Sequence, residues 1–393
     1  MPRFEPFTAL RYAPGTDLAE VLAPPYDVLS DADVTALAQR SPRNIVHVDV
    51  PRGGSNRYTE AAATLAEWIA DGVLVRDAEP SFTIYRMRFV DDQGEARDLA
   101  SVLGALEVVD AGAGGVLPHE RTTPKDSTDR LDLTRATGAN LSPVWGLALN
   151  PGLTALLAEP GEPLGAVTVD GVEHRFERVT DRARVAAISA VVGGDDVLIA
   201  DGHHRYGVAR LVRDEARAVS RGSAGAAELT LAFVGELAPE QLSIAAIHRL
   251  YAGSTHEAVR AALAQRFDIV PAPMPSLALL GDLRDKGALA LIGPDGSAEF
   301  LVPRPGAFDG LRELDGAWLE DTLADLEVDV AYQHGVAEVL EAVVSRRAHS
   351  AVLIRPVSIE EITRTAREGL LMPPKSTFFA PKIRTGVVLR ELT

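Results

Sequence analysis

The stretch ADGHHRYGVARLVRDEAR, Ala200 to Arg217, decides how the chain is read. It follows an apolar run, Val197 to Ala200, that reads as a buried strand. It leads into Val208, Val212, Ala216 and Val219, spaced three or four apart, which read as one face of a helix. Between them stand Asp201, Gly202, His203, His204 and Arg205. A strand, a tight turn and a helix N-terminus make an anion site, because the turn exposes backbone N–H groups and the helix dipole favours negative charge there. Gly202 lets the backbone turn sharply and approach a ligand. Arg205 lies in the first helical turn, where a cation opposes the dipole, and a bound phosphate relieves that conflict. The plainer reading is a capped helix with Asp201 as N-cap. A cap needs only the acid, and here two histidines and an arginine accompany it.

The whole chain sets bounds on what that turn serves. Its 393 residues exceed one simple core, so two or three lobes are expected. Apolar residues make up 46% and are spread evenly. The net charge of −17 and pI near 5.0 argue against a nucleic-acid surface while allowing a local basic pocket. Without cysteine there is no disulfide framework, thiolate nucleophile or Cys-ligated zinc. The first residues contain no apolar core of signal-peptide length, and no apolar run approaches about 18 residues. A cytoplasmic protein with no membrane span is the expectation.

Along the chain the pattern is mixed α/β, with hairpins as well as crossovers. Ala23-Pro24-Pro25-Tyr26-Asp27-Val28 reads as a rigid turned segment that presents Tyr26 and Asp27. Ser30 caps a helix through about Arg40, with Asp33 at the capping-box position. Asn44 to Val50 alternates and reads as a strand; Arg57 to Ala70 reads as an amphipathic helix. Ser81–Val90 and Arg97–Val109 read as strands joined at Asp91-Asp92-Gln93-Gly94. A glycine-rich loop with Gly112, Gly114 and Gly115 then ends in His119, Glu120 and Arg121, followed by Lys125, Asp129 and Arg130. Charge of that density after a supple loop reads as the wall of a site. Pro143–Leu149, Leu164–Val179 (turning at Asp170-Gly171), Glu228–Glu236 and Ser243–Leu250 read as strands. Asp181–Val192 reads as a helix. Beyond about Ala252 come a helix at Thr255–Phe267, a hairpin at Ala288–Val302, a helix at Gly316–Leu326, and helix, strand, helix to Glu368. The division expected is 1–110, 111–250 and 251–393. The tail at 371–386 contains Lys375, Ser376, Thr377, Phe378, Phe379 and Lys382, and could wrap back to an anion. No GxGxxG follows a strand and no P-loop motif appears.

Four ordered motifs, APPYDV, HERT followed by Lys125 and Asp129-Arg130, IADGHHRY and MPPKSTFFAPKIRTG, resemble a bacterial and archaeal family of unknown function over nearly the whole chain. The DGHHR turn also resembles the phosphate-binding turn of the ParB and sulfiredoxin superfamily, to which free L-serine kinases belong. The fold class implied is α/β (α+β, mixed sheets), with a ParB-like phosphate-binding core and added N- and C-terminal regions. The resemblance implies phosphoryl transfer to free L-serine, with pyrophosphate as donor, or ADP or ATP. Gly202, His203, His204 and Arg205 stand where that superfamily's turn holds phosphates; Lys125, Arg130, Lys375 and Lys382 would supply further cations to the donor, and the tail would bring Ser376 and Thr377 with them. Tyr26, Asp27 and His119 then face the amino acid. Asp201 would hold Mg²⁺ directly or through water, with His204 beside it in the chemistry. Glu120, or failing that Asp129, would be the general base. No nucleic acid or membrane partner is implied, and the oligomeric state stays open. Two rivals remain. A metal-dependent hydrolase would use Asp201, His203, His204 and Glu120, but adjacent histidines in one turn point apart and no HExxH is present. A ParB-like sensor of nucleotides or phosphometabolites would bind without chemistry.

Overall fold

The computed structural model describes residues 1–91, 94–119, 125–373 and 375–392, and of residues 125–127 only the backbone. Among these residues a nine-stranded mixed sheet draws on the chain from Phe4 to Glu236. Its order is Val116–Leu117, Val197–Asp201, Val144–Ala148, Leu229–Glu236, Ala96–Glu107, Phe82–Val90, Val172–Val179 and Glu162–Val169. Phe4–Glu5 adds to Ala96–Glu107. Two pairings are parallel, Val197–Asp201 with Val116–Leu117 and Leu229–Glu236 with Val144–Ala148; the others are antiparallel. Because Ala96–Glu107 pairs with Leu229–Glu236, residues 1–110 and 111–250 share this one sheet.

Both faces of the sheet are covered, which is why its central strands are apolar on both sides. On one face Met87, Leu103, Phe233, Leu198 and Trp145 pack with Val46, Leu65 and Trp68 from the N-terminal helices. On the other, Ile84, Val102, Val144, Val197 and Val234 pack with Leu153, Ile188, Val192 and Tyr206. The alternation of Asn44–Val50 does not become a strand. Val46–Asp49 is a helical turn in which Val46, Val48 and Asp49 are buried while His47 is only half-buried. The Ser30 helix runs Asp31–Arg40 with its capping box formed.

A second, six-stranded antiparallel sheet lies in the chain from His248 to Leu353. Its faces are covered by Leu277–Lys286 with Val336–Val344, and by His256–Leu263 with Asp315–Thr322. The helix expected to reach Phe267 stops at Leu263, and Phe267 opens a strand instead. Ser243–Leu250 divides likewise: Ile244–Ala245 and His248–Ala252 belong to different sheets. The helix Leu277–Lys286 and the strand Asp329–Gln333 were not anticipated. The tail then crosses back to the first sheet. Phe378–Phe379 pairs with Ile244–Ala245, Thr385 bridges Ala23, Leu389 bridges Leu10, and Arg390–Glu391 pairs with Ala139–Asn140.

One glycine shows how tightly the first sheet is packed. A Cβ at Gly104 would lie 2.4 Å from Phe4 Cζ and 2.6 Å from Phe82 Cε1, two rings stacked 5.1 Å apart. Gly104→Ala is expected to cost about 1–3 kcal/mol, as overpacked cores do. A thermal melt with an unchanged midpoint would contradict this packing.

Candidate active site

The strand Val197–Asp201 ends where Gly202 takes a left-handed φ of 87°, and the helix His203–Val219 begins there. Gly202, not Asp201, is the N-cap, and no side chain caps the helix. Its first N–H groups therefore lack the side-chain acceptor that most helices supply. Tyr206, Val208, Ala209 and Arg213 bury the opposite face, and the Tyr206 hydroxyl donates to the Glu107 carbonyl at 2.9 Å. The helix is thus held rigidly and its N-terminus is aimed by the sheet.

Asp201 is the hub of the turn. Its Oδ1 accepts from the Gly202 N–H at 2.8 Å, and its Oδ2 accepts from Lys382 Nζ at 2.9 Å. Arg205 Nη2 stands 3.6 Å from the same Oδ2. Burial pushes the Asp201 carboxyl up, but Lys382 and Arg205 outweigh it and hold it well below the usual carboxylate range. The tail thereby delivers Lys382 from far along the chain, steadied by the Phe378 ring 4.4 Å below its Nζ.

Arg205 is only 8% exposed. Its Nη1 donates to the Pro143 carbonyl, while its Nε and Nη2 have no hydrogen-bond partner among the described residues. The guanidinium lies beneath the turn: a Cβ at Gly202 would meet Arg205 Nε at 2.9 Å. The left-handed backbone favours glycine there, and a Cβ would in addition make the Arg205 guanidinium shift. The carboxylates of Asp201, Asp27 and Asp49 lie near enough for their negative charge to favour the Arg205 guanidinium, and Tyr26 stands close by. Burial pushes the Tyr26 hydroxyl up to about 12.

Other expected residues take different places. Arg130 is buried against Asp49, with Nη1 donating to the Asp49 carbonyl at 2.7 Å and lying 3.2 Å from its Oδ1. It also grips Asp129 at 2.6 Å and stacks on Tyr26 at 4.2 Å. It is a support behind Arg205, from which a small cavity of about 40 Å³ separates it. Asp129 is likewise engaged, accepting from the Tyr58 hydroxyl at 2.7 Å. Asp49 was missed; the one visible signal was an acid in the apolar run NIVHVDV. His119 is wholly buried, with Nδ1 on the Ile199 carbonyl at 2.6 Å and Nε2 on Thr377 Oγ1 at 2.9 Å, so neither nitrogen is open to a substrate. His203 Nε2 accepts from the His119 backbone N–H at 3.4 Å, which leaves the proton on Nδ1. Burial and the neighbouring His119 push His203 well below its ordinary pKa. His204 is half-buried in the same first turn. Ser376 donates to the Pro373 carbonyl at 2.7 Å, and the backbone turns left-handed at Lys375, an exposed residue. Glu120 and the side chain of Lys125 lie outside the described residues.

Mg²⁺ does not fit the turn as described. Both Asp201 oxygens are engaged, one of them by Lys382 with Arg205 close by, and a divalent ion would face those two cations. Among the described residues no group of three or more His, Cys, Asp or Glu is set to hold a metal, and no helix is long and apolar enough to cross a membrane.

Comparison with known proteins places the chain in a family. The chain belongs to the family described as protein of unknown function DUF1015, whose model matches residues 4–317. Among solved structures it is similar to a free serine kinase in complex with AMP. That match has 15% identity and a TM-score of 0.40, and covers 71% of this chain and 90% of that one. It is also similar to SbnI with C-terminal truncation from Staphylococcus aureus, at 11% identity and a TM-score of 0.40, covering 73% of this chain and 87% of that one. No curated protein matches it.

The buried histidines set a pH limit on the fold. Burial pushes His119, His174 and His248 down to about 4, with Arg384 adding to the effect at His174 and Arg249 at His248. An unfolded histidine takes its proton near 6.5. Between about pH 6.5 and 4 the unfolded chain therefore binds more protons, so stability is full above that window and falls as pH drops through it. Urea-unfolding midpoints measured across the window are expected to fall steadily; a flat profile would mean that these rings are protonated in the native state.

Proposed function

We propose that the chain is a phosphotransferase that moves a phosphoryl group to the hydroxyl of free L-serine, giving O-phospho-L-serine. The observation that carries the reading is Arg205: a buried guanidinium, two of whose nitrogens lack hydrogen-bond partners among the described residues, under the uncapped N-terminus of a long helix. A buried donor without an acceptor costs about 1–3 kcal/mol, more when charged. A phosphate at the turn supplies acceptors to Arg205 and to the helix N–H groups together. Lys382 can turn from Asp201 to the same anion. The motif resemblance, carried by residues that this turn and tail bring together, gives the acceptor as serine and the donor as pyrophosphate, with ADP or ATP next.

In this reading the protein works by positioning and charge neutralisation, which is most of what phosphoryl transfer asks. Arg205, Lys382 and the backbone N–H groups hold the donor's phosphates. His203, with its proton on Nδ1, adds a neutral donor. Tyr26 and Asp27, close to Arg205, present the amino acid, with the Asp27 carboxylate facing its ammonium. Glu120 is the proposed general base.

Incubation with serine and each of pyrophosphate, ADP and ATP, read by mass spectrometry, tests the reaction directly. Phosphoserine is expected, most with pyrophosphate. Donor binding without phosphoserine would favour a phosphometabolite sensor. Lys382→Met is expected to weaken pyrophosphate binding about 10- to 100-fold in calorimetry, the worth of one charge-assisted hydrogen bond. Unchanged affinity would remove the tail from the donor site. Glu120→Gln is expected to keep donor affinity and lose on the order of 10²–10⁴ in turnover. A loss of under about threefold would assign the base elsewhere.

A further inference from the structure

The tail carries a hydroxyl in an arrangement that the serine reaction does not use. His119 Nδ1 lies 2.6 Å from the Ile199 carbonyl, and a carbonyl only accepts, so Nδ1 holds the proton. Burial keeps the ring neutral. The remaining lone pair, on Nε2, faces Thr377 Oγ1 at 2.9 Å, so the hydroxyl donates to it. Hydroxyl, base and a third group that fixes the base's tautomer are thus in sequence, the order found in Ser-His-Asp hydrolases. The adjacent Ser376 is buried and turned away, with its hydroxyl on the Pro373 carbonyl. Thr377 is partly exposed.

The same hydroxyl is close to the proposed donor seat. The His119 ring packs edge-on to His203, the first residue of the site helix, with centroids 4.9 Å apart. The residue after Thr377, Phe378, supports Lys382, which reaches Asp201 in the turn. Backbone contacts hold the segment: Met372 N–H donates to the His119 carbonyl at 2.7 Å, and Phe379 pairs with Ile244.

We propose that Thr377 is itself a phosphoryl acceptor, modified by the donor bound at the Gly202 turn when no free amino acid is present. The proposal rests on the phosphotransferase reading above. In the step, Thr377 Oγ1 bonds to the donor's terminal phosphorus, and the bond from that phosphorus to the bridging oxygen breaks. The rest of the donor leaves with the electron pair, and the hydroxyl proton passes to His119 Nε2. His119 is a weak base, so transfer to Thr377 is slow beside transfer to serine; the loose transition state draws more on positioning than on proton removal. The product places a phosphate carrying close to two negative charges near Lys382. It competes with the donor for that cation and damps further turnover.

The test uses the full chain, incubated without serine with labelled pyrophosphate or γ-labelled ATP, then digested and sequenced by fragmentation mass spectrometry. Phosphate on Thr377 is expected, lost in Thr377→Val and retained in Thr377→Ser, which keeps the nucleophile and the fold. The same preparations are assayed for phosphoserine from free serine. Phosphoserine formed while Thr377 stays unmodified overturns this proposal and leaves the serine reaction standing. Label confined to Ser376 or to any other residue also overturns it. Neither product with any donor overturns both readings.

Discussion

The structure turns on a carboxylate placed between two cations at the end of a strand. Asp201 joins the Gly202 turn, the first turn of the helix and the returning tail through Lys382, with Arg205 beneath. Removing the carboxylate would leave two partly buried cations facing each other unbalanced, which costs more than the group contributes when intact. That asymmetry explains why segments so far apart in sequence are brought together. In the proposed reading the carboxylate balances the two cations until a donor phosphate arrives to share them.

Much of this was legible in the residues. The strand, turn and helix were read from an apolar run, a glycine and a three-to-four periodicity, because each is a local property. The hairpin at Asp170-Gly171 and the capped helix after Ser30 were legible for the same reason. The failures were of another kind. Asn44–Val50 alternates like a strand, yet Ile45, Val46 and Val48 are buried together around a helical turn. Tertiary enclosure overrode the period. Ser243–Leu250 reads as one strand because nothing in eight residues says that its two halves serve different sheets.

The candidate site divides in the same way. Residue types were readable, whereas partners were not. The chemistry of Arg130 matches that of Arg205, yet one is held by Asp49 and Asp129 and the other keeps two nitrogens without hydrogen bonds. The positions of Asp49 and Asp129 separate them, and Asp49 lies in the segment whose alternation suggests a strand but which folds as a helical turn. His119 stands among the residues expected to face the amino acid. The carbonyl of Ile199, a group every residue possesses, is what fixes its tautomer and removes it from that role.

The tail's place follows from a physical need of the first sheet. Its core includes Met372, Phe379, Ile383, Val388 and Leu389, all nearly inaccessible to solvent. Hydrophobic burial, about 25 cal/mol per Å² of apolar surface, fastens the segment at several points without reference to any ligand. Lys382 lies between two of those anchors, Phe379 and Ile383. Its approach to Asp201 is therefore set by packing rather than by a search of a flexible lysine for its partner, and in the proposed reading little side-chain entropy remains to be lost when a donor phosphate replaces the carboxylate. The second sheet contributes through the same segment: Arg249 donates to the Lys375 carbonyl at 3.4 Å, and His334 stacks on Phe378 at 4.4 Å. The second sheet thus touches the same segment that carries Lys382.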